Sequence, residues 1–408
     1  MLKIAATLKD SGLVRTAMES LTEVLRDVPF LSQSSLRPER LPRQPKADFV
    51  ISIQTPAPAR AKSLQRRLVC EVKSSGQPRI AREACLSLAE FARQDERAYP
   101  VFIAPYISPA AAEVCKEYNA GYLDFAGNCR LAFDSVFIQK EGFPNPTAAT
   151  RDLRSLYSPK GERVLRVLLA SGPRMWRTQA LADSAQVSLG QVASVKKLLA
   201  DREWIESGPT GFGLSGYAMG SPAGSGKGNG QGYGFGSGSG AGRGDGSGFG
   251  DGATGPVQVT VLPLLTEWAR AYRPQRSSSS EFYSIRPIPE VEAKLSEFAR
   301  TQNKPIAFTA FSGAARLAPA VRYQRATVYV ADDVATIAEI LALKPVSSGA
   351  NVTLIEPYDD GVFFGTRELA GTPVVSPIQI YLDLMQIKGR GEEAANAILE
   401  EVIKPLWR

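Results

Sequence analysis

Glu71 and Lys73 stand two residues apart at the end of an apolar run, LVCEVK. Side chains two apart on a strand point to the same face, so this carboxylate and this ammonium are neighbours if the run is a strand. Asp48 opens the preceding apolar run, ADFVISI. Pairing the two runs as an antiparallel hairpin brings the start of one beside the end of the other, and all three side chains converge. Two carboxylates and a lysine in that arrangement can hold a hydrated divalent ion and steady a water for attack on a phosphodiester. The bland counterpart is a solvated Glu–Lys pair worth under about 1 kcal/mol. Gln77 and Arg79 follow closely, as phosphate contacts or as a solvated turn.

The chain has 408 residues and no histidine. That absence removes Ser-His-Asp triads, histidine metal sites and histidine-based deaminase signatures together, leaving carboxylates, lysine and tyrosine to do any chemistry. Cys70, Cys85, Cys115 and Cys129 form no close pair and are expected as reduced core residues. The formal charge is +7, and the excess is local. Residues 1–80 hold 14 Lys/Arg against 7 Asp/Glu, and residues 151–207 hold 10 against 6, which suits a polyanionic partner. Lys3, Lys9, Asp10 and Arg15 interrupt any signal-like start, and no long apolar window occurs, so a cytoplasmic protein without membrane spans is expected.

The elements that would position Asp48, Glu71 and Lys73 follow from periodicity. An amphipathic helix at 13–28 precedes the two runs, and a helix at 80–93, the strand YPVFIAPY, a helix at 109–118 and short strands in GYLDFAGNCRLAF follow. Strand–helix alternation predicts an α/β layer structure. The arrangement resembles the PD-(D/E)XK family, the restriction-endonuclease-like fold, over roughly residues 10–140. That resemblance implies Asp48 and Glu71 as metal ligands, Lys73 as the residue assisting the nucleophile, and Glu19 on the first helix, with Glu23 one turn on, as a further ligand. Ala47 stands before Asp48 where the family has proline. Mg²⁺ or Mn²⁺ would be the cofactor of an active site of this kind; DNA binding needs none. Asn128, after Gly127, is expected to serve a strand turn, and Asp124 to be an exposed strand residue.

Between residues 158 and 215, SPKGERVLRVLLAS, RTQALADSAQ and SLGQVASVKKLLADREWIESG read as three short helices ending in a strand and a Gly turn, the winged helix-turn-helix pattern. Ser188 is placed to cap the third helix. Val192, Val195 and Leu199 share one face of that helix; Gly190, Ser194 and Lys197 share the other, with Gln191 at its flank and Lys196 beside Lys197. Small and polar residues on an outward face suit close approach to bases. Residues 211–255 carry 20 of the 36 glycines and are expected to be a disordered linker.

After the tract, PLLTEWARAY is expected as a helix completing the second unit. A third α/β unit then follows: a helix around SGAARLAP, the strand ATVYVA, a helix at 334–343, strands NVTLIE and GVFFGT, and closing helices SPIQIYLDLM and GEEAANAILEEVI. The stretches 308–330 and 354–385, followed by GRGEEAANAI, resemble the C-terminal part of AbiEi-type antitoxins, transcriptional regulators of type IV toxin-antitoxin systems, in which a winged helix precedes this domain. The resemblance covers about residues 155–408. It implies autoregulation by duplex DNA binding and a cognate toxin as partner. SGAARLAP before a strand also resembles nucleotidyltransferase-like folds, but Thr327 and Tyr329 stand where that activity needs paired carboxylates, so no nucleotidyl transfer is expected.

The expected organisation is therefore multi-domain α/β. It comprises a restriction-endonuclease-like domain (1–145), a winged helix (155–215), the Gly-rich tract (216–256), a helix completing the winged-helix unit (257–280) and an AbiEi-like α/β domain (281–408). The expected function is a DNA-binding transcriptional regulator with an inert nuclease-like domain. The alternative is a Mg²⁺-dependent endonuclease using Asp48, Glu71 and Lys73.

Overall fold

The computed structural model describes residues 2–28, 31, 37–39, 47–55, 64–146, 156–215, 258–302, 304–331 and 334–407. The Gly-rich tract at 216–256 lies outside the described residues. The chain divides into two compact units, Met1–Val164 with Arg177–Gly208, and Leu165–Trp176 with Pro209–Arg408.

Unit 1 is built on a seven-stranded sheet whose spatial order follows the chain, from β1 (Arg37–Glu39) through β2 (Phe49–Thr55), β3 (Leu64–Val72), β4 (Ala98–Ala104), β5 (Gly121–Asp124), β6 (Cys129–Phe133) and β7 (Val136–Lys140). β2 and β3 pair antiparallel, with Phe49 opposite Cys70. β3, β4 and β5 run parallel, as the intervening helices α2 (Pro78–Ala92) and α3 (Pro109–Glu117) require. β4 is buried on both faces, and its alternation sorts the core into layers. Val101 and Ile103 join Ile51, Leu68 and Cys70 against the first helix, α1 (Leu2–Arg26), whose Ala17, Leu21 and Leu25 recur every four residues. Phe102 and Ala104 face α2 and α3 instead. All four cysteines are buried and free, as expected. Gly76, just beyond Lys73, lets the loop bridge to Ile107; a Cβ there would lie 2.8 Å from the Ile107 Cα.

Residues 159–214 contain α4 (Pro159–Ala170), α5 (Thr178–Ala185), α6 (Leu189–Asp201), β8 (Ile205–Gly208) and β9 (Gly211–Leu214). Gln186 closes α5 in the left-handed region at φ 52°, and Ser188 opens α6, so two helices meet across a three-residue turn.

Unit 2 contains a second seven-stranded sheet. Its order is β13 (Lys344–Pro345), β10 (Ser278–Tyr283), β14 (Val352–Glu356), β12 (Ala326–Val330), β11 (Ile306–Phe308), β16 (Thr372–Val374) and β15 (Arg367–Leu369). Its helices include α7 (Gln258–Ala271), α8 (Ile288–Gln302), α9 (Ala310–Ala314), α10 (Val334–Ile340), α11 (Pro377–Leu384) and α12 (Gly391–Ile398). Every residue of α11 is buried. GVFFGT, expected as a strand, is instead part of a 3-10 turn over Asp360–Phe363. The Asp359 carboxylate accepts the Gly361 N–H at 2.8 Å, and Gly365 sits at φ +73°, so the segment curls rather than extending. No helix among the described residues is long and apolar enough to cross a membrane.

Candidate functional site

Antiparallel pairing of β2 with β3 brings Asp48 to the end of β3. The Asp48 N–H donates to the Cys70 carbonyl at 2.9 Å, and the Val72 N–H donates to Asp48 Oδ2 at 2.7 Å. Lys73 Nζ lies 2.6 Å from Glu71 Oε1. Glu71 is 8% exposed, and its Oε2 is buried without a hydrogen bond. Burial pushes the Glu71 carboxyl above the ordinary range, Lys73 pulls it back in part, and Asp48 adds a smaller upward push. The three residues singled out from the sequence thus come together.

Glu19 does not join them. Val50 and Val69 pack with Leu88 of α2, so the alternate residues of β2 and β3, Asp48 and Glu71 among them, share the face that carries α2. α1 packs on the opposite face, against Phe49, Leu68 and Cys70. Glu19 is exposed there and pairs with Arg15 at 3.9 Å. Among the described residues no group of three Asp, Glu, Cys or His side chains is placed to hold a metal ion. The donor set for a divalent ion is therefore two carboxylates, one of them already paired with Lys73.

Asp124, expected to be exposed, is 2% exposed. Gly127 at φ +109° folds the turn back so that the Asn128 N–H and side-chain amide both reach the Asp124 carboxylate, each at 2.9 Å, while the Ile107 N–H reaches it at 3.1 Å. Asn128 also exchanges hydrogen bonds with the Phe143 backbone, consistent with a turn role.

The second candidate site is the outward face of α6. Val192, Val195 and Leu199 are fully buried. Ser188, Gly190, Ser194 and Lys197 are exposed, and Gln191 and Lys196 are half-buried. The Ser188 hydroxyl accepts the Gln191 N–H at 3.2 Å, capping the helix. Gly190 faces open space, with Ser188 Oγ at 3.9 Å from a hypothetical Cβ. Such a face presents hydrogen-bonding groups, a close-approach position and a cation along one helix, the chemistry a major groove accepts.

Sequence reasoning missed what holds that helix. Arg82 of α2 grips Glu203 through two hydrogen bonds, at 2.9 and 3.1 Å, and Arg79 pairs with Asp201 at 2.9 Å. Both acids lie at the C-terminal end of the α6 segment, so α6 is pinned to α2 within unit 1. Arg79, read as a phosphate contact or a solvated turn residue, is used here instead. Partners more than a hundred residues apart leave no local signal.

A further polar centre was also missed. Asp383, Gln379, Tyr329, Tyr272 and Thr309 form a buried cluster in unit 2. Asp383 accepts from Tyr329 at 2.9 Å, Gln379 at 2.9 Å, Tyr272 at 3.2 Å and the Thr309 hydroxyl. Gln379 Oε1 in turn accepts from the fully buried Arg166, at 2.8 and 3.0 Å. Burial pushes the Asp383 carboxyl up to about 6 against the pull of these four donors. A signal was present: Gln379 and Asp383 sit four apart in the otherwise apolar helix PIQIYLDL.

No curated protein and no solved structure matches the chain. Residues 259–404, which span α7 to the closing helices, match the family described as a transcriptional regulator, the AbiEi antitoxin of type IV toxin-antitoxin systems.

Proposed function

We propose that the protein is a DNA-binding transcriptional regulator of the antitoxin type. α6 enters the major groove of duplex DNA, and a cognate toxin is the partner of the C-terminal region. The observation that carries this reading is the capped helix with a buried apolar face and an outward face of Ser188, Gly190, Gln191, Ser194, Lys196 and Lys197, preceding a region that matches an antitoxin regulator family. Lys196 and Lys197 serve phosphate or guanine contacts, and Gln191 and Ser194 reach base edges. The restriction-endonuclease-like unit is inert in this reading and braces α6 through Arg79 and Arg82. The test is a gel shift on the chain's own upstream DNA. Wild type binds with salt-dependent affinity, and the pair Ser194→Glu, Lys197→Glu loses binding while its circular dichroism spectrum is unchanged. Undiminished binding by that pair at low salt would move the recognition surface elsewhere.

A second reading, a Mg²⁺-dependent endonuclease, is favoured by one observation: Asp48, Glu71 and Lys73 converge at one strand end, with Glu71 Oε2 unpartnered. Mg²⁺ keeps several waters and needs only one or two protein carboxylates, so Asp48 and Glu71 suffice as ligands; bound there, the ion would supply Lewis-acid activation of a water. Lys73 would then steady the attacking water, which requires it to release Glu71. Incubating supercoiled DNA with the protein and Mg²⁺ or Mn²⁺ separates the readings, since only the second gives nicking.

A further inference from the structure

The sheet of unit 2 carries a cavity of about 310 Å³ that DNA binding does not use. Ser279 of β10, Thr327 of β12 and Thr353 of β14 line it, with Thr327 directly opposite Thr353 in the parallel ladder. Tyr329 and Asp383 continue the wall. We propose that this cavity binds a small organic amine, an ammonium on an apolar body about the size of one ring and a short chain.

Charge excludes anionic ligands. No lysine or arginine lines the cavity, so a phosphate or carboxylate ligand would enter without a counter-charge. Asp383 is the charged group in the wall, and the donors it accepts from, Thr309, Tyr329, Tyr272 and Gln379, are all neutral. Arg166 reaches the cluster through Gln379 rather than by contact with the carboxylate. A cation in the cavity therefore meets a negative potential that no protein cation in direct contact cancels.

Hydrogen-bonding groups are available to receive it. Among the described residues the Ser279 and Thr327 hydroxyls make no hydrogen bond, although both line the cavity. Hydroxyl oxygens are acceptors as well as donors, and an ammonium has three protons to place. Ile355, Ile387 and Pro274 supply the apolar wall for the rest of the ligand. The wall is also strained: Ala310 lines it at φ 48°, a left-handed conformation that a residue with a Cβ adopts at a cost. Strain of this kind persists where the surroundings impose it, and ligand sites are where it gathers.

Three molecules of one shape test the assignment on the full chain by titration calorimetry: tyramine, the neutral alcohol tyrosol and the anion 4-hydroxyphenylacetate. Tyramine is expected to bind about tenfold or more tighter than tyrosol, and the anion to give no heat. The double variant Ser279→Ala, Thr327→Val, which leaves the Asp383 cluster intact, is expected to weaken tyramine about fivefold with an unchanged melting temperature. Absence of tyramine binding at millimolar concentration, equal affinity for amine and alcohol, or an unaffected double variant would each overturn the proposal. These outcomes do not depend on whether the chain binds DNA.

Discussion

Glu71 in unit 1 and Asp383 in unit 2 are both carboxylates less than a tenth exposed, and burial raises the pKa of both. They are compensated in different ways. Glu71 has an ammonium at 2.6 Å and one oxygen left without a partner. Asp383 has no cation in contact, and four neutral donors from four elements converge on it. An ion pair at a strand end concerns two side chains, and Lys73 remains well exposed to water. The cluster of neutral donors around Asp383 instead ties the end of α7, the end of β11, β12 and α11 to one another, so its carboxylate is part of how unit 2 packs. A carboxylate at a strand end with an oxygen left over is therefore the better place to look for direct metal ligation, and a fully satisfied one holds its neighbours in place and acts on a ligand only through its charge.

The largest effect expected is at Asp383. Asp383→Leu leaves two tyrosine hydroxyls, a threonine hydroxyl and an amide without their shared acceptor, and should cost about 3–5 kcal/mol in urea unfolding. Glu71→Gln removes one desolvated charge and keeps its shape, and should change stability by no more than about 1 kcal/mol. Similar losses at the two positions would erase the distinction drawn between them.

A pH series sharpens the same contrast. The Asp383 carboxyl sits at about 6 in the folded chain against 3.8 ordinarily, so the folded state holds its proton more tightly than the unfolded state does. Its stabilising contribution is full below the ordinary value and is lost as pH rises through about 6. Between about pH 4.5 and pH 7, wild type should therefore lose about 2 kcal/mol relative to Asp383→Asn, which does not titrate. A constant difference between the two proteins across that window would mean that the carboxyl is not perturbed.

Arg82→Ala should have a smaller effect on stability, about 1 kcal/mol, because Arg82 and Glu203 are both roughly one-third exposed and water screens the pair. Its effect on DNA affinity should be larger than its effect on melting temperature, since the pair fixes the end of α6. Restoration of affinity by Arg82→Lys would separate positioning from a general loss of fold. An affinity that follows the melting temperature in every variant would instead make the contact merely structural.

Much of this was readable from the chain. Period-two and period-3.6 patterns located β2, β3, β4, α2 and α6 to within a few residues, because each buries one face against a core that does not tolerate polar side chains. The convergence of Asp48 with Glu71 followed from antiparallel pairing alone. What failed has physical causes. Glu19 is a ligand only by the family resemblance, and which face of the sheet α1 covers is decided by packing that no local pattern encodes. The burial of Asp124 leaves no local signal, because it depends on Gly127 turning Asn128 back onto it. GVFFGT reads as a strand by composition, yet one capping carboxylate, Asp359, decides its conformation.

The smallest expected effect concerns magnesium at Asp48 and Glu71. A pair of carboxylates awaiting a cation gains stability from it by mass action, about 2.7 kcal/mol at a hundredfold excess over the dissociation constant. Here Lys73 already supplies a positive charge to Glu71, the Asp48 Oδ2 is engaged by the Val72 N–H, and Glu19 lies on the other face of the sheet. An entering ion meets one ligand whose charge an ammonium already offsets and shares the other with a backbone donor, so the net gain is small. Millimolar Mg²⁺ should then raise the melting temperature by no more than about 2 °C, the equivalent of under about 1 kcal/mol. Supercoiled DNA should be bound and left intact. Lys73→Ala frees Glu71 for a metal, so the magnesium response should grow in that variant if the ammonium is what keeps the ion out. A large response in wild type, with nicking that vanishes in both Glu71→Ala and Lys73→Ala, would reverse the order of the two functional readings and make the strand end of unit 1 the catalytic centre.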